Sequence, residues 1–195
     1  HQIYVCAGNC LRGVVLTAAA MHAQSRLSTI TIKENNVLDG DMETLLIEGV
    51  TDILHRLPSL PPAVLVFTSC IHHFMGCDLA LCYRELRKRF PGVDFTDCYM
   101  NPIMRKSGLT PDQLMRRQLY SLLKPRAQDD GVNILGNCFP TDETSELVKI
   151  IRKTGRPLRD ITVCKTYEDY QKMAAAALHI AYNPVSYTHL RAHET

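Results

Sequence analysis

"AVLVFTSCIHHFMGCDL", residues 63–79, is the stretch that decides the fold. From Ala63 to Ser69 apolar and polar side chains do not alternate, which is how a strand reads when both of its faces are covered. The apolar run stops at Cys70, and two histidines, a glycine, a second cysteine and an aspartate follow by Asp78. A doubly covered strand belongs to a parallel sheet with helices on each side, and in such sheets ligands bind outside the carboxyl ends of the strands. Cys70 stands at such an end, where it can be a metal ligand, a nucleophile or a small buried side chain.

Working outward, strands and helices alternate. "IYVC" at 3–6 leads into a helix over about 10–24, and "STITI" at 28–32 is a second strand. Met42, Leu45, Leu46, Gly49, Val50, Ile53, Leu54 and Leu57 then recur at three- and four-residue spacing, an amphipathic helix preceded by Asp39 and Asp41 as possible caps. Beyond Cys70 a helix over roughly 76–90 ends before Pro91-Gly92, and "VDFTDCYM" at 93–100 is another strand. Thr110-Pro111-Asp112-Gln113 forms a capping box that opens a helix ended by Lys124-Pro125. After the polar "RAQDDG" the pattern restarts with strand "VNILG", a helix over 142–154, strand "DITVC" and a helix from Thr166 carrying Tyr170, Met173, Ala177 and Leu178 on one face. The fold class is therefore α/β, in successive Rossmann-like units whose mostly parallel sheets are flanked by helices. The first unit is expected over 1–125 with the chemistry-bearing cysteines, and the second over 131–184. The closing "VSYTHLRAHET", 185–195, resembles a translated sequencing adapter and is read as a non-native tail, which removes His189 and His193 from consideration.

With 46% hydrophobic and 22% charged side chains over 195 residues, the composition is that of one large globular domain or two small ones and excludes a disordered or fibrous class. A formal charge of +2, with the cations scattered apart from "RELRKRF" at 84–90, provides no basic field for nucleic acid. No apolar run reaches bilayer length and no signal peptide opens the chain, so the expectation is a cytoplasmic protein with neither nucleic-acid nor membrane partners. Eight cysteines in a reducing compartment point to metal binding, redox chemistry or plain burial rather than disulfides.

Cys6, Cys70, Cys98, Cys138 and Cys164 all fall at or just after strand ends, and for each alone burial is the simpler reading. Cys10 and Cys70 rise above that baseline. Cys10 lies in "GNCLRG" where a loop runs into a helix, so backbone N–H groups favour a thiolate and can hydrogen-bond a cluster sulfide, and Cys70 has the same setting. Soft thiolates on separate loops, without the short cysteine pairs of structural zinc sites, favour an iron–sulfur cluster over zinc. His72 and His73 are a possible metal pair, but no third histidine or carboxylate lies at ligand spacing, so the preferred reading is that they shape the loop, donate to a cluster sulfur or face a partner. Cys77 and Cys82 read as packing residues and Asp78 as a helix cap. Arg12, Arg105 and Lys106 are cations suited to a carboxylate-bearing substrate or to cluster charge, or are solvated surface. No Gly-x-x-x-x-Gly-Lys-Ser/Thr loop and no Gly-x-Ser-x-Gly elbow is present, so neither ATP hydrolysis nor serine-hydrolase chemistry is expected of this chain.

"AVLVFTSCIHHFMGCDL" resembles the nitrogenase component 1 type oxidoreductases, in which a strand ends in a cluster cysteine followed by a short loop, a glycine and an acidic residue; Cys70, Gly76 and Asp78 match that pattern. "GNCLRGVVLTAAAM" is similar to the segment where an earlier cluster cysteine opens a helix, and "VNILGN" with "LVKIIRKTG" resembles a later strand and helix of the family. The resemblance covers nearly all of residues 3–184. It implies that Cys10 and Cys70 ligate a 4Fe-4S or P-cluster-like centre, with Cys6 as a possible further ligand and with both sulfurs facing one shared cleft. It also implies a homologous or identical component 1 subunit across the cluster, and electrons delivered by a separate ATP-dependent iron-protein reductase. A further cluster cysteine would precede His1, so the chain is expected to be a fragment, inactive alone. The family's His-Gly-Pro is replaced by Val5-Cys6-Ala7-Gly8-Asn9, and Tyr182-Asn183 stand where molybdenum nitrogenase has its cofactor cysteine. The expectation is thus a nitrogenase-like reductase relaying electrons to a substrate or cofactor, with a second metal or tetrapyrrole group accommodated in the full-length protein. The alternatives are a non-catalytic scaffold for metal-cofactor assembly and a plain α/β small-molecule binding domain.

Overall fold

Ile3, Val5, Val64 and Val66 are sealed from solvent because their strands lie side by side in the middle of a sheet. That sheet comprises β1 (Gln2–Ala7), β2 (Leu27–Ile32), β3 (Ala63–Ser69) and β4 (Asp94–Met100), all parallel, in spatial order β2-β1-β3-β4. The computed structural model describes residues 1–100 and 109–181, and the chain divides into two compact units, one over His1–Leu114 and one beginning at Met115. The unbroken apolar run of 63–69 forms β3 along its whole length, as expected of a strand with a neighbour on each edge.

Helices complete the first unit: α1 (Gly8–Ala20), α2 (Glu34–Asp39), α3 (Met42–Arg56), α4 (Cys70–Phe74) and α5 (Leu79–Arg89). The stripe read from the sequence is the buried face of α3, where Met42, Leu46, Val50 and Leu54 join the strand residues in one core. Gly49 lets α3 approach β2 closely, since a Cβ there would lie 2.7 Å from Cδ1 of Ile30. On the other side of the strand order, Tyr83 of α5 donates its hydroxyl to the carbonyl of Val66 at 3.3 Å. Asp41 precedes α3 but does not cap it; its carboxylate accepts from Asn36 Nδ2 at 3.1 and 3.3 Å instead.

The helix expected from Thr110 is α6 (Pro111–Tyr120), with Gln113 N–H donating to Thr110 Oγ1 and Thr110 N–H donating to Gln113 Oε1. In the second unit β5 (Val132–Leu135) lies between β6 (Leu158–Asp160) and β7 (Leu178–Ala181), again all parallel, with α7 (Glu146–Lys153) and the short α8 (Tyr167–Gln171) between them in the chain. Two elements differ from their sequence reading. "DITVC" stops being a strand at Asp160, whose carboxylate takes both the N–H and the hydroxyl of Thr162 and turns the chain into a 3-10 helix. Leu178, placed on a helix by its spacing, instead opens β7 opposite Val132, and its N–H donates to the carbonyl of Gly131.

Asp160 is buried, and burial raises its pKa, yet the net shift is downward because Thr162, Asn137 and Thr141 all donate to the carboxylate. A carboxylate with a depressed folded pKa stabilises the fold above its ordinary value of 3.8 and loses that contribution as pH falls through the folded value. Asp160→Asn should therefore be less stable than wild type at pH 7 in urea titrations, and the difference should shrink towards zero as the pH is taken below the carboxylate range. In the first unit Leu46→Ala should lower unfolding free energy by about 2–5 kcal/mol, the range for emptying a well-packed leucine site, measured by the same titration.

Candidate functional site

The strand order places a topological switch between β1 and β3: the chain leaves β1 towards β2, returns past it to β3 and continues outward to β4. Loops leaving the carboxyl ends of two such strands diverge to opposite faces and open a crevice at the sheet edge. Cys10 is the third residue of α1, directly after β1, and Cys70 is the first residue of α4, directly after β3. Cys10 is exposed, Cys70 half-buried and Cys6, on β1, fully buried.

The Cys6 thiol is pushed up to about 11, chiefly by burial and then by the neighbouring charges of Cys10 and Cys70. It is a neutral thiol at pH 7 beneath the two more accessible cysteines. Cys10 lines a cleft of about 750 Å³ between α1 and the sheet, together with Tyr4, Val14, Thr17 and Leu65. Cys70 is not among the residues that line it. Cys10 is two residues into its helix and turned along the flank of α1, whereas Cys70 starts its helix at the sheet edge. Among the described residues no group of three or more His, Cys, Asp or Glu side chains is placed to hold a metal ion.

The residues after Cys70 divide by which way they face. The N–H of Ser69 donates to Nδ1 of His72 at 3.2 Å, which folds 70–74 into α4 instead of leaving a loop. An imidazole whose Nδ1 accepts must carry its proton on Nε2, and burial keeps the ring neutral by lowering its pKa. His72 therefore presents a donor, not a metal-binding lone pair. His73 is exposed, with its ring edge-on to Phe74. Gly76 has φ 65°, the left-handed turn that ends α4, and Asp78 caps α5 by accepting from Leu81 N–H at 2.9 Å. The Asp78 N–H in turn donates to Glu43 Oε1 at 2.8 Å. Gly76 and Asp78 shape the loop that presents Cys70.

Elsewhere, Cys82 and Cys98 are buried and both are pushed up to about 12, in each case first by burial. In the second unit Cys138 is exposed, and the buried Arg116 donates to its sulfur at 2.9 Å, a pairing across 22 positions that no local pattern in the sequence marks. Arg12 is exposed on α1. Arg105, Lys106, Tyr182, Asn183 and the 185–195 tail lie outside the described residues.

The family model for nitrogenase component 1 type oxidoreductases matches residues 8–192. The chain belongs to this family. A solved structure of nitrogenase Cp1 at pH 6.5 shares the fold, with a TM-score of 0.68 over 98% of this chain and 14% sequence identity. The chain spans about half of that structure, covering 47% of it. No curated protein matches by sequence. Family membership and fold bear out the resemblance drawn from "TSCIHHFMGCDL" and from the α/β alternation. Among the described residues of this nitrogenase component 1 type chain, no helix is long and apolar enough to cross a membrane.

Accessibility and protonation together set an order of thiol reactivity. Timed alkylation with iodoacetamide at pH 8, read by peptide mass spectrometry, should label Cys10 and Cys138 first and Cys6, Cys82 and Cys98 last, with Cys6 at least ~10-fold slower than Cys10. Equal rates for Cys6 and Cys10 would contradict the buried position of Cys6.

Proposed function

We propose that the chain forms one side of an iron–sulfur site in a nitrogenase-like oxidoreductase, with Cys10 and Cys70 as its thiolate ligands, and that the assembled protein relays electrons from an ATP-dependent iron-protein reductase to a substrate or cofactor. The observation that carries this reading is the placement of both cysteines just beyond the carboxyl ends of two adjacent parallel strands, Cys10 in α1 after β1 and Cys70 at the start of α4 after β3. The donor set suits the group: soft sulfurs on separate loops, one exposed and one half-buried. A cluster bound there supplies one-electron redox chemistry at a potential tuned by burial and hydrogen bonding.

The chain's own residues prepare an incomplete site. Gly76 and the Asp78 cap hold the loop after Cys70. Two thiolates leave coordination positions for ligands beyond the described residues. Helix α1 favours a second subunit as their source: only Leu11 and Ala18 of it are buried, while Val15 and Leu16 stand 43% and 60% exposed beside the helix that carries Cys10. An apolar flank of this kind is stabilised by burial against a partner, here a homologous or identical component 1 subunit. All eight cysteines are free, in keeping with a reducing, cytoplasmic setting.

Anaerobic reconstitution of the assembled protein with ferrous iron and sulfide should give a broad visible charge-transfer band and stoichiometric iron. Cys10→Ala and Cys70→Ala should each remove most of both, with unchanged far-ultraviolet circular dichroism. Iron content equal to wild type in the double variant would refute the ligand assignment. Bleaching of the band by a competent reductase and MgATP, without turnover of any offered substrate, would mark the protein as an assembly scaffold.

A further inference from the structure

A second cavity, of about 290 Å³, opens at the carboxyl ends of β3 and β4, lined by Thr68, Ser69, His72, His73, Cys77 and Tyr99 among others. Cys70 is not among its lining residues. Residues two apart on a helix face different ways, so the side of α4 that carries His72 is not the side that carries Cys70. Neither Cys10 nor Cys70 is among the residues that line this cavity.

Its distinguishing feature is a donor without an acceptor. His72 is 2% exposed, its Nδ1 is taken by the Ser69 N–H, and its Nε2 has no hydrogen-bond partner. Ser69, 5% exposed, has a hydroxyl in the same condition. Leaving a buried polar group unmade costs about 1–3 kcal/mol, and native folds seldom leave two together without a use. Charge narrows what can satisfy them. Among the described lining residues none is Lys or Arg, while Glu43 accepts from the N–H of Asp78, next to the lining Cys77, and the Tyr99 hydroxyl donates to the Asp97 carboxylate. An anion entering this field would be repelled, and a cation offers the imidazole N–H nothing to donate to. A neutral acceptor meets both conditions.

We propose that this cavity binds a small neutral molecule through a carbonyl or carboxamide oxygen that accepts the Nε2–H of His72, with the Ser69 hydroxyl as the second contact. The volume suits a ligand at the small end of the range for binding pockets.

Acetamide and acetate are matched probes, equal in size and different in charge. In the ¹⁵N-labelled full chain without iron, the His72 Nε2–H resonance is assigned by its loss in His72→Phe. Acetamide should shift it saturably, and acetate should bind at least ~10-fold more weakly. Cys77→Met, which fills the cavity and leaves the Ser69–His72 hydrogen bond in place, should abolish the acetamide response; this variant serves even if His72→Phe fails to fold. An Nε2 that carries no proton, a resonance that ignores both probes as in a cavity holding only water, equal affinity for acetate, or an undiminished response in Cys77→Met would each overturn the proposal. None of these outcomes bears on whether Cys10 and Cys70 bind iron.

Discussion

The parallel pairing of β1 with β3 is the constraint on which the rest of the first unit depends. Gln2 lies opposite Leu65 and Val5 opposite Thr68, and Tyr4 stacks on Phe67 at 4.3 Å between ring centroids. The two strands are separated by more than fifty residues, so a long crossover through β2 and α3 has to close before a single ladder bond forms. Once it closes, the strand ends are fixed side by side, and whatever residues come after them share one edge of the sheet. The segments that carry Cys10 and Cys70 leave neighbouring strand ends as a consequence of topology, with no contact between the segments themselves needed to place them there.

That edge keeps its acids and bases in distinct states chiefly by burial. Cys6, one residue before the end of β1, is held as a thiol; His72, three residues beyond the end of β3, is held as a neutral ring. Neither is set by a salt bridge, so neither state depends strongly on ionic strength. The same loop thus has two chemically different sides: sulfur near solvent on one, and an imidazole N–H facing a small cavity on the other.

Much of the fold was legible because the informative segments were long and periodic. The α3 stripe and the doubly covered β3 run could be read as written, and the Thr110–Gln113 box opens a helix as its residues demand. Short segments were misread where a side chain overrode the pattern. Asp160, the first residue of "DITVC", ended the strand there by capturing Thr162, and the spacing of Tyr170, Met173, Ala177 and Leu178 suggested a helix where pairing of Leu178 with β5 makes a strand. At the site, Cys10 and Cys70 could be singled out because their neighbours in sequence mark strand-to-helix turns. The orientation of His72 could not, since it depends on a hydrogen bond to the Ser69 backbone that only the folded turn creates. Position along a chain says which edge a residue reaches but not which cavity it lines: Cys10 lines the cleft along α1, and the cavity beside His72 is lined by neither Cys10 nor Cys70.

The open form of the cysteine edge is informative in its own right. A metal site completed within one chain gathers its ligands in a closed shell, with second-layer hydrogen bonds that fix them before the metal arrives. Here the accessible sulfurs are presented at a surface, and one rides on a helix whose flank exposes valine and leucine next to a cleft of about 750 Å³. On the proposed assignment, a second protein surface would cover the helix while supplying the further ligands. Under that arrangement the cluster would be sealed only on assembly, and burial of the α1 flank would contribute to holding the sulfurs at a fixed separation. Subunit association and cofactor retention would then be thermodynamically linked, each strengthening the other by the same coupling free energy.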